Sequence, residues 1–252
     1  MIKKNYYKVV RVFPDPSSYF YIKNETMSEG QIGFNFDWLQ TVNLEYSFDK
    51  VNWTLKSSSE WGYLIIPADS YVYFRNTSGT FCTSEYSNVL IPFFKVSIGG
   101  DVRTLFNYTD VDSVTAIPAY GFYRPIGNGS GSLGSTEIID ISNLSFRGIT
   151  SIGDYGLSGA FSHSQFTNTK GVDLRDVTTL GESALQELYA YNSNLTEVYA
   201  PNVSTWDTNK TNSWLSSVAS TGVVYKPSTL DIPTGISSGI PSGWTTQDYP
   251  TE

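Results

Sequence analysis

The phrase Val114-Thr-Ala-Ile-Pro-Ala-Tyr-Gly-Phe122 returns as Ile149-Thr-Ser-Ile-Gly-Asp-Tyr-Gly-Leu157 and again as Val177-Thr-Thr-Leu-Gly-Glu-Ser-Ala-Leu185. A worn fourth copy, Val-Ser-Thr-Trp-Asp, begins at Val203. Successive starts lie about 35, 28 and 26 residues apart. A period of roughly 20–50 residues marks units that stack, each burying an apolar face against the next. Within a copy, two aliphatic residues stand three apart, Gly or Pro follows, and a third apolar residue closes the turn.

An alternating stretch precedes three of the copies: Glu137-Ile-Ile-Asp-Ile-Ser142, Val172-Asp-Leu-Arg-Asp-Val177 and Glu197-Val-Tyr-Ala-Pro-Asn-Val203. Alternation with a period of two sends one set of side chains inward and the other outward. Each unit is therefore expected to be a short strand, a turn, and a compact bend or single helical turn. The run Gly181–Leu188 is the one that reads as helical. The Gly/Ser-rich stretch 125–135 reads as a flexible surface loop. Beyond residue 205 the repeat decays into a tail of turns rich in Pro and Trp. Trp206, Trp214 and Trp244 suit a cap over the open end of the stack.

The first 90 residues contain no copy of the repeat. They read as short strands divided by turn signals: Tyr6–Phe13 up to Pro14, Tyr19–Ile22, Gln31–Phe36, Asn43–Phe48, Asn52–Leu55, Tyr63–Ile66 and Tyr71–Arg75. Leu44, Tyr46 and Phe48 alternate, and Trp53 and Leu55 continue the pattern, which predicts a hairpin with one buried face. Tyr63–Ile66 and Tyr71–Arg75 are expected to form a second hairpin across Pro67–Ser70. The fold class expected is mainly β. Residues 1–92 form a small β-sandwich that docks, and residues 93–252 form a short irregular repeat solenoid with a C-terminal cap. The first turn of the solenoid is placed at Phe94.

Net charge is −8, only 16 % of residues are charged, and 15 % are aromatic. So many aromatics argue against a disordered chain. Acidity argues against general nucleic-acid binding, because phosphate contact needs Lys and Arg. The one basic cluster, Lys3, Lys4 and Lys8, reads as a solvated terminus. Cys82 stands alone, so no intrachain disulfide is expected, and it reads as a small buried hydrophobe. No signal peptide or membrane span is visible, so the chain is expected to be made in a bacterial cytoplasm and to leave within a larger particle or on lysis.

The phrase Ile149-Thr-Ser-Ile-Gly-Asp-Tyr-Gly-Leu-Ser-Gly159 resembles the BspA-like leucine-rich repeat, whose unit is an aliphatic–Thr–Ser–Ile–Gly phrase followed by an aromatic or aliphatic bend. The run Thr221-Gly-Val-Val-Tyr-Lys-Pro227, with Ile232-Pro-Thr-Gly235 and Gly239-Ile-Pro-Ser-Gly-Trp-Thr245, is similar to the ends of such proteins in gut bacteria and their tailed phages. The likeness covers roughly residues 110–249. The segment Leu44-Glu-Tyr-Ser-Phe-Asp-Lys-Val-Asn-Trp-Thr54 resembles a β-module of large phage and gut-bacterial surface proteins. These resemblances imply a virion structural protein of a tailed, crAss-like gut phage: a fibre, a fibre adapter or a head decoration. It would oligomerise and pair with other virion proteins (capsid, tail or fibre subunits). The alternative they imply is a receptor-binding adhesin that recognises bacterial surface glycan or protein.

Reactive constellations are sparse. Gly129-Ser-Gly-Ser-Leu-Gly134 matches G-x-G-x-x-G, but a β-like run follows it where a phosphate site needs a helix. Asp101, Asp110 and Asp112 lack the spacing of a calcium loop. His163 is the only histidine, and Ser162 and Ser164 beside it do not make a triad. Glu182, Glu187 and Asp173 are the carboxylates that a glycosidase would need to pair. No enzyme activity, cofactor or metal is expected. The residues singled out for contact with a partner or ligand are Tyr189, Tyr191, Tyr199 and Trp206, since Tyr and Trp carry interface energy and stack on sugars.

Overall fold

The computed structural model describes residues 19–34, 43–57, 62–77, 81, 89–124, 126 and 138–250. The chain is mainly β, in several sheets. The expected strand at Tyr6–Phe13, Cys82 and, apart from Ile126, which is buried and bridged to Leu90, the Gly/Ser-rich stretch lie outside the described residues.

Eight strands come first: β1 (Phe20–Asn24), β2 (Gly30–Phe34), β3 (Asn43–Ser47), β4 (Thr54–Ser57), β5 (Tyr63–Ile66), β6 (Tyr71–Asn76), β7 (Leu90–Pro92) and β8 (Val96–Asp101). β4, β3, β6, β1 and β8 lie side by side as antiparallel neighbours. β5, β2 and β7 form a second antiparallel sheet. The two sheets meet through the rings of Phe34 and Phe74, 6.5 Å apart.

The hairpin of β3 and β4 forms, with Leu44 opposite Lys56 and Tyr46 opposite Thr54. Asp49 holds its turn by accepting hydrogen bonds from the backbone N–H groups of Val51 and Asn52, at 2.8 and 2.7 Å. Those donors hold its carboxyl well below the usual carboxylate range. The buried face is shorter than the alternation predicts: Leu44 is buried, whereas Phe48 and Leu55 are 45 % and 53 % exposed. The reason is register: Leu55 stands opposite Glu45, on the other face from Leu44, and Phe48 lies past the end of β3 at Ser47.

The second expected hairpin does not form. β5 pairs with β2, and β6 pairs with β1 and β3, so the chain crosses between sheets at residues 67–70. The chain makes the same crossing between β1 and β2. Asn24, fully buried, ties the two corners together. Its Nδ2 donates to the carbonyls of Ser28, Ile66 and Pro67, and its Oδ1 accepts from the Thr26 N–H. Residues 67–70 are thus spent on a tied corner, and a tight hairpin there would take the Ile66 and Pro67 carbonyls away from the buried amide.

The expected division at 92/93 falls between β7 and β8, both paired with N-terminal strands. Phe94 packs its ring over Gly30, where a Cβ would lie 2.3 Å from Cδ1. A short helix, α1 (Thr104–Asn107), follows. Next come β9 (Ala116–Ile117), β10 (Ile138–Ser145), β11 (Ser151–Ile152), β12 (Lys170–Asp173), β13 (Thr179–Leu180), β14 (Glu197–Tyr199), β15 (Gly222–Lys226) and β16 (Trp244–Asp248).

The three copies of the repeated phrase lie on one another. β9, β11 and β13 are parallel, with Ile117 against Ile152 and Ile152 against Leu180. The alternating stretches make further parallel pairings: β10 on β8, and β12, β14, β15 and β16 in succession. The tail after residue 205 is therefore more than turns, since β15 and β16 add two strands to the ladder. Three indoles pin that end. Trp206, Trp214 and Trp244 donate their Nε1–H groups to the carbonyls of Ser238, Gly239 and Ala219, each at 2.7 Å. One cluster of buried apolar side chains runs from Phe20 to Trp244, joined across the middle by Phe122, whose ring lies 6.3 Å from Phe20 and 6.2 Å from Phe161.

The bends are neither helical turns nor irregular loops. In the second copy, the N–H groups of Gly156, Ser158, Ala160 and Ser162 fold back to carbonyls three residues earlier. The intervening N–H groups of Tyr155, Leu157, Gly159, Phe161 and His163 cross to Glu182, Ala184, Gln186, Leu188 and Ala190 of the next coil, at 2.7–3.0 Å. An α-helix would keep every bond inside the segment. Here a left-handed residue every fourth position turns alternate amides outward: Tyr155, Gly159 and His163, then Ser183, Glu187 and Tyr191. Gly181–Leu188 is such a bend and not a helix. The left-handed conformation costs about 1–2 kcal/mol at each non-glycine position, and the crossing hydrogen bonds offset it.

Candidate interaction surfaces

The four residues singled out for contact are not brought together. Tyr189 is fully buried. Its hydroxyl accepts the Val172 N–H at 2.8 Å, in space left by Gly171, and its ring lies 5.8 Å from Phe161 of the preceding coil. Burial pushes its hydroxyl pKa well above the usual tyrosine value. Tyr189 is a core residue, so its assignment as a contact residue is corrected. Tyr199, half-buried in β14, stacks on Tyr225 at 4.8 Å, and the Arg175 guanidinium lies 5.3 Å from its ring. Its pKa is raised by burial and then by Glu197. Trp206 is half-buried, 5.0 Å from Trp214, and belongs to the pinned end.

Tyr191 alone points out, with 55 % of its surface exposed. Its ring stacks on His163 of the preceding coil at 4.2 Å and 25°. Both residues have left-handed backbone, φ 66° and 57°, which turns their side chains away from the core. A parallel pair of the same origin, Tyr120 and Tyr155, stacks at 5.1 Å and 3°. Columns of outward rings are thus a product of the bend geometry.

Ionised groups are paired along the coils. Glu187 meets Arg124 at 2.9 Å, Asp173 meets Arg175 at 2.8 Å, and Lys170 meets Glu197 at 2.9 Å. Asp101 is joined to Arg103 at 2.8 Å, and Asp112 to the same guanidinium at 3.4 Å, so a cation already stands between those two acids. Ser162 donates to the Gly159 carbonyl and not to His163. Among the described residues, no cluster of three His, Cys, Asp or Glu side chains is placed to hold a metal ion, and no helix is long and apolar enough to cross a membrane.

A second surface was not anticipated. On the outer side of the three-stranded sheet, Tyr63, Ile65 and Phe93 are 64 %, 44 % and 59 % exposed. Tyr63 and Phe93 meet edge to face at 5.8 Å over Gly33, which leaves room for both rings. The alternation Tyr63-Leu-Ile-Ile66 carried the signal: Leu64 and Ile66 are inside, which puts Tyr63 and Ile65 outside.

No protein-family model matches this chain, and no curated protein or solved structure matches it.

Proposed function

We propose that this chain is a non-enzymatic structural protein of a tailed-phage particle: a fibre, a fibre adapter or a head decoration that acts by protein–protein assembly. In this reading, the C-terminal coils are a short BspA-like leucine-rich-repeat solenoid. The two N-terminal sheets are a β-sandwich that docks on other virion subunits. The reading is supported first by the register of the repeat, Ser151 and Ile152 against Ala116 and Ile117 and against Thr179 and Leu180. That register stacks the phrase on which the family resemblance stands.

The observation that carries an assembly role is the outward cluster of Tyr63, Ile65 and Phe93. Aromatic and aliphatic side chains held rigidly on a sheet are what the centre of a protein interface uses. Glu187, Asp173 and Glu197 are engaged by Arg or Lys, which speaks for a scaffold over acid–base chemistry. Mass spectrometry of gradient-purified particles from an infected culture tests the proposal. The chain should be present at a fixed ratio to the major capsid protein, and its absence from washed particles would reject the reading.

A further inference from the structure

The three-stranded sheet ends on β5, and among the described residues no strand pairs with its outer side. An outer strand presents a row of N–H and C=O groups open to pairing. Proteins guard such rows with Lys, Pro, a bulge or an inward-pointing charge. Tyr63-Leu-Ile-Ile66 contains none of these guards, and its register with β2 is unbroken from Tyr63 opposite Gly33 to Ile66 opposite Gly30. Three other outer strands differ. β7 is bridged through Leu90 to Ile126. β4 carries Lys56, whose ammonium lies 5.4 Å from the Phe34 ring. β16 turns Thr245, Thr246, Gln247 and Asp248 to solvent, so its row is flanked by polar side chains.

The open row of β5 also adjoins apolar surface. Tyr63 and Ile65 point outward beside it, and Phe93 stands over Gly33. β2 adds only Gln31 and Gly33 to that face, opposite Ile65 and Tyr63. No side chain of the group is charged.

These features select a second copy of the chain as the partner. With a net charge of −8, two copies repel over most of their surface, and here they can approach with no charge on either side. A two-fold axis needs only one self-complementary patch. β5 complements itself when two copies run antiparallel about Leu64, because residues opposite each other in such a pair share a face. Outside, Tyr63 then meets the second copy's Ile65, an aromatic ring against a β-branched chain. Inside, Leu64 meets its own counterpart. The next register, about Ile65, would set Tyr63 opposite Pro67, which has no N–H to donate. We propose that the chain dimerises by antiparallel pairing of β5 with β5 of a second copy, joining two three-stranded sheets into one of six strands. The inference rests on the assembly role given above to the Tyr63 face and names its partner, and it does not depend on membership of a particle.

Sedimentation velocity on the full chain over a range of concentrations tests it. The wild type should reach twice the chain mass of 28.0 kDa. Ile65→Lys places a guard on the row and should sediment as a monomer, with a melting temperature within a few degrees of the wild type because the position is exposed. Cysteine cross-linking in a Cys82→Ser background reads the register, and it decides the matter should Ile65→Lys fail to fold. A mixture of Tyr63→Cys and Ile65→Cys chains should form an interchain disulfide faster than either chain alone, since only the mixture sets two thiols opposite each other. A wild-type chain that stays monomeric overturns the proposal and leaves the particle assignment standing, which mass spectrometry of particles judges separately. A dimer that survives Ile65→Lys, or a mixture that cross-links no faster than the single variants, overturns it as well, since the contact then lies elsewhere.

Discussion

Arg124 and Glu187 are two coils apart, and their side chains meet at 2.9 Å across the face of Gly159. All three occupy the same position in successive bends, and all three have left-handed backbone. A Cβ on Gly159 would lie 2.5 Å from the Arg124 Nε, so the missing side chain is what opens the path. Gly159→Ala should therefore destabilise twice, through the left-handed backbone (φ 61°) and through displacement of the guanidinium. The expected loss is about 2 kcal/mol, read as a lower urea midpoint at unchanged slope. Glu187→Gln should cost less than about 1 kcal/mol, because both partners are partly solvated. Equal losses for the two variants would contradict this account.

Tyr189 should behave as a structural hydrogen-bond acceptor. Tyr189→Phe leaves the Val172 N–H buried without a partner, and a loss of about 1–3 kcal/mol is expected. Tyr191→Phe, two residues away and exposed, should change stability by less than about 0.5 kcal/mol. Denaturant unfolding of the two variants side by side checks the contrast.

The pinned end should depend on Trp214, which is fully buried and whose Nε1–H binds the Gly239 carbonyl. Trp214→Phe leaves a void and an unsatisfied acceptor, so a loss of about 2–3 kcal/mol follows. Hydrogen exchange should show the amides of β15 and β16 losing protection before those of β1 and β6. Uniform loss over the whole chain would count against a separately weakened end.

Alkaline pH should destabilise the fold. Burial, followed by the neighbouring Tyr71, pushes the Tyr21 hydroxyl up to about 12, from an ordinary value of about 10. Tyr73 and Tyr249 are raised as well, chiefly by burial. A raised pKa means that the unfolded chain releases its proton first. The stabilisation is then complete below pH of about 10 and is lost progressively as pH climbs toward 12. The melting temperature should hold up to about pH 10 and fall steeply above it, and Tyr21→Phe should make that fall shallower.

The surface of Tyr63 and Phe93 should be dispensable for folding and necessary for assembly. The double variant Tyr63→Ser, Phe93→Ser should keep the melting temperature within a few degrees. It should also be lost from purified particles when supplied in place of the wild-type chain. Undiminished incorporation would point to a different docking face.

Periodicity alone determined the coils. Isoleucine and leucine at matched places in a repeated phrase have nowhere to hide except against their own copies, and Ile117, Ile152 and Leu180 do meet in that way. The alternation before three of the copies fell on β10 and β14 and on the end of β12, which runs from Lys170 to Asp173, because a two-residue period follows from strand geometry without reference to the rest of the chain. The tertiary structure decided where paired segments went when two local solutions were close. Tyr63–Ile66 and Tyr71–Arg75 could have made a hairpin, and the buried Asn24 amide made the crossing instead. It also decided the fate of Tyr189 and Tyr191. Residues two apart share a face in a strand, and here one is core and the other surface. The cause is a left-handed backbone at Tyr191, sustained by a hydrogen bond from its N–H to the Ser216 carbonyl of the next coil, a contact that exists only once the coils are stacked.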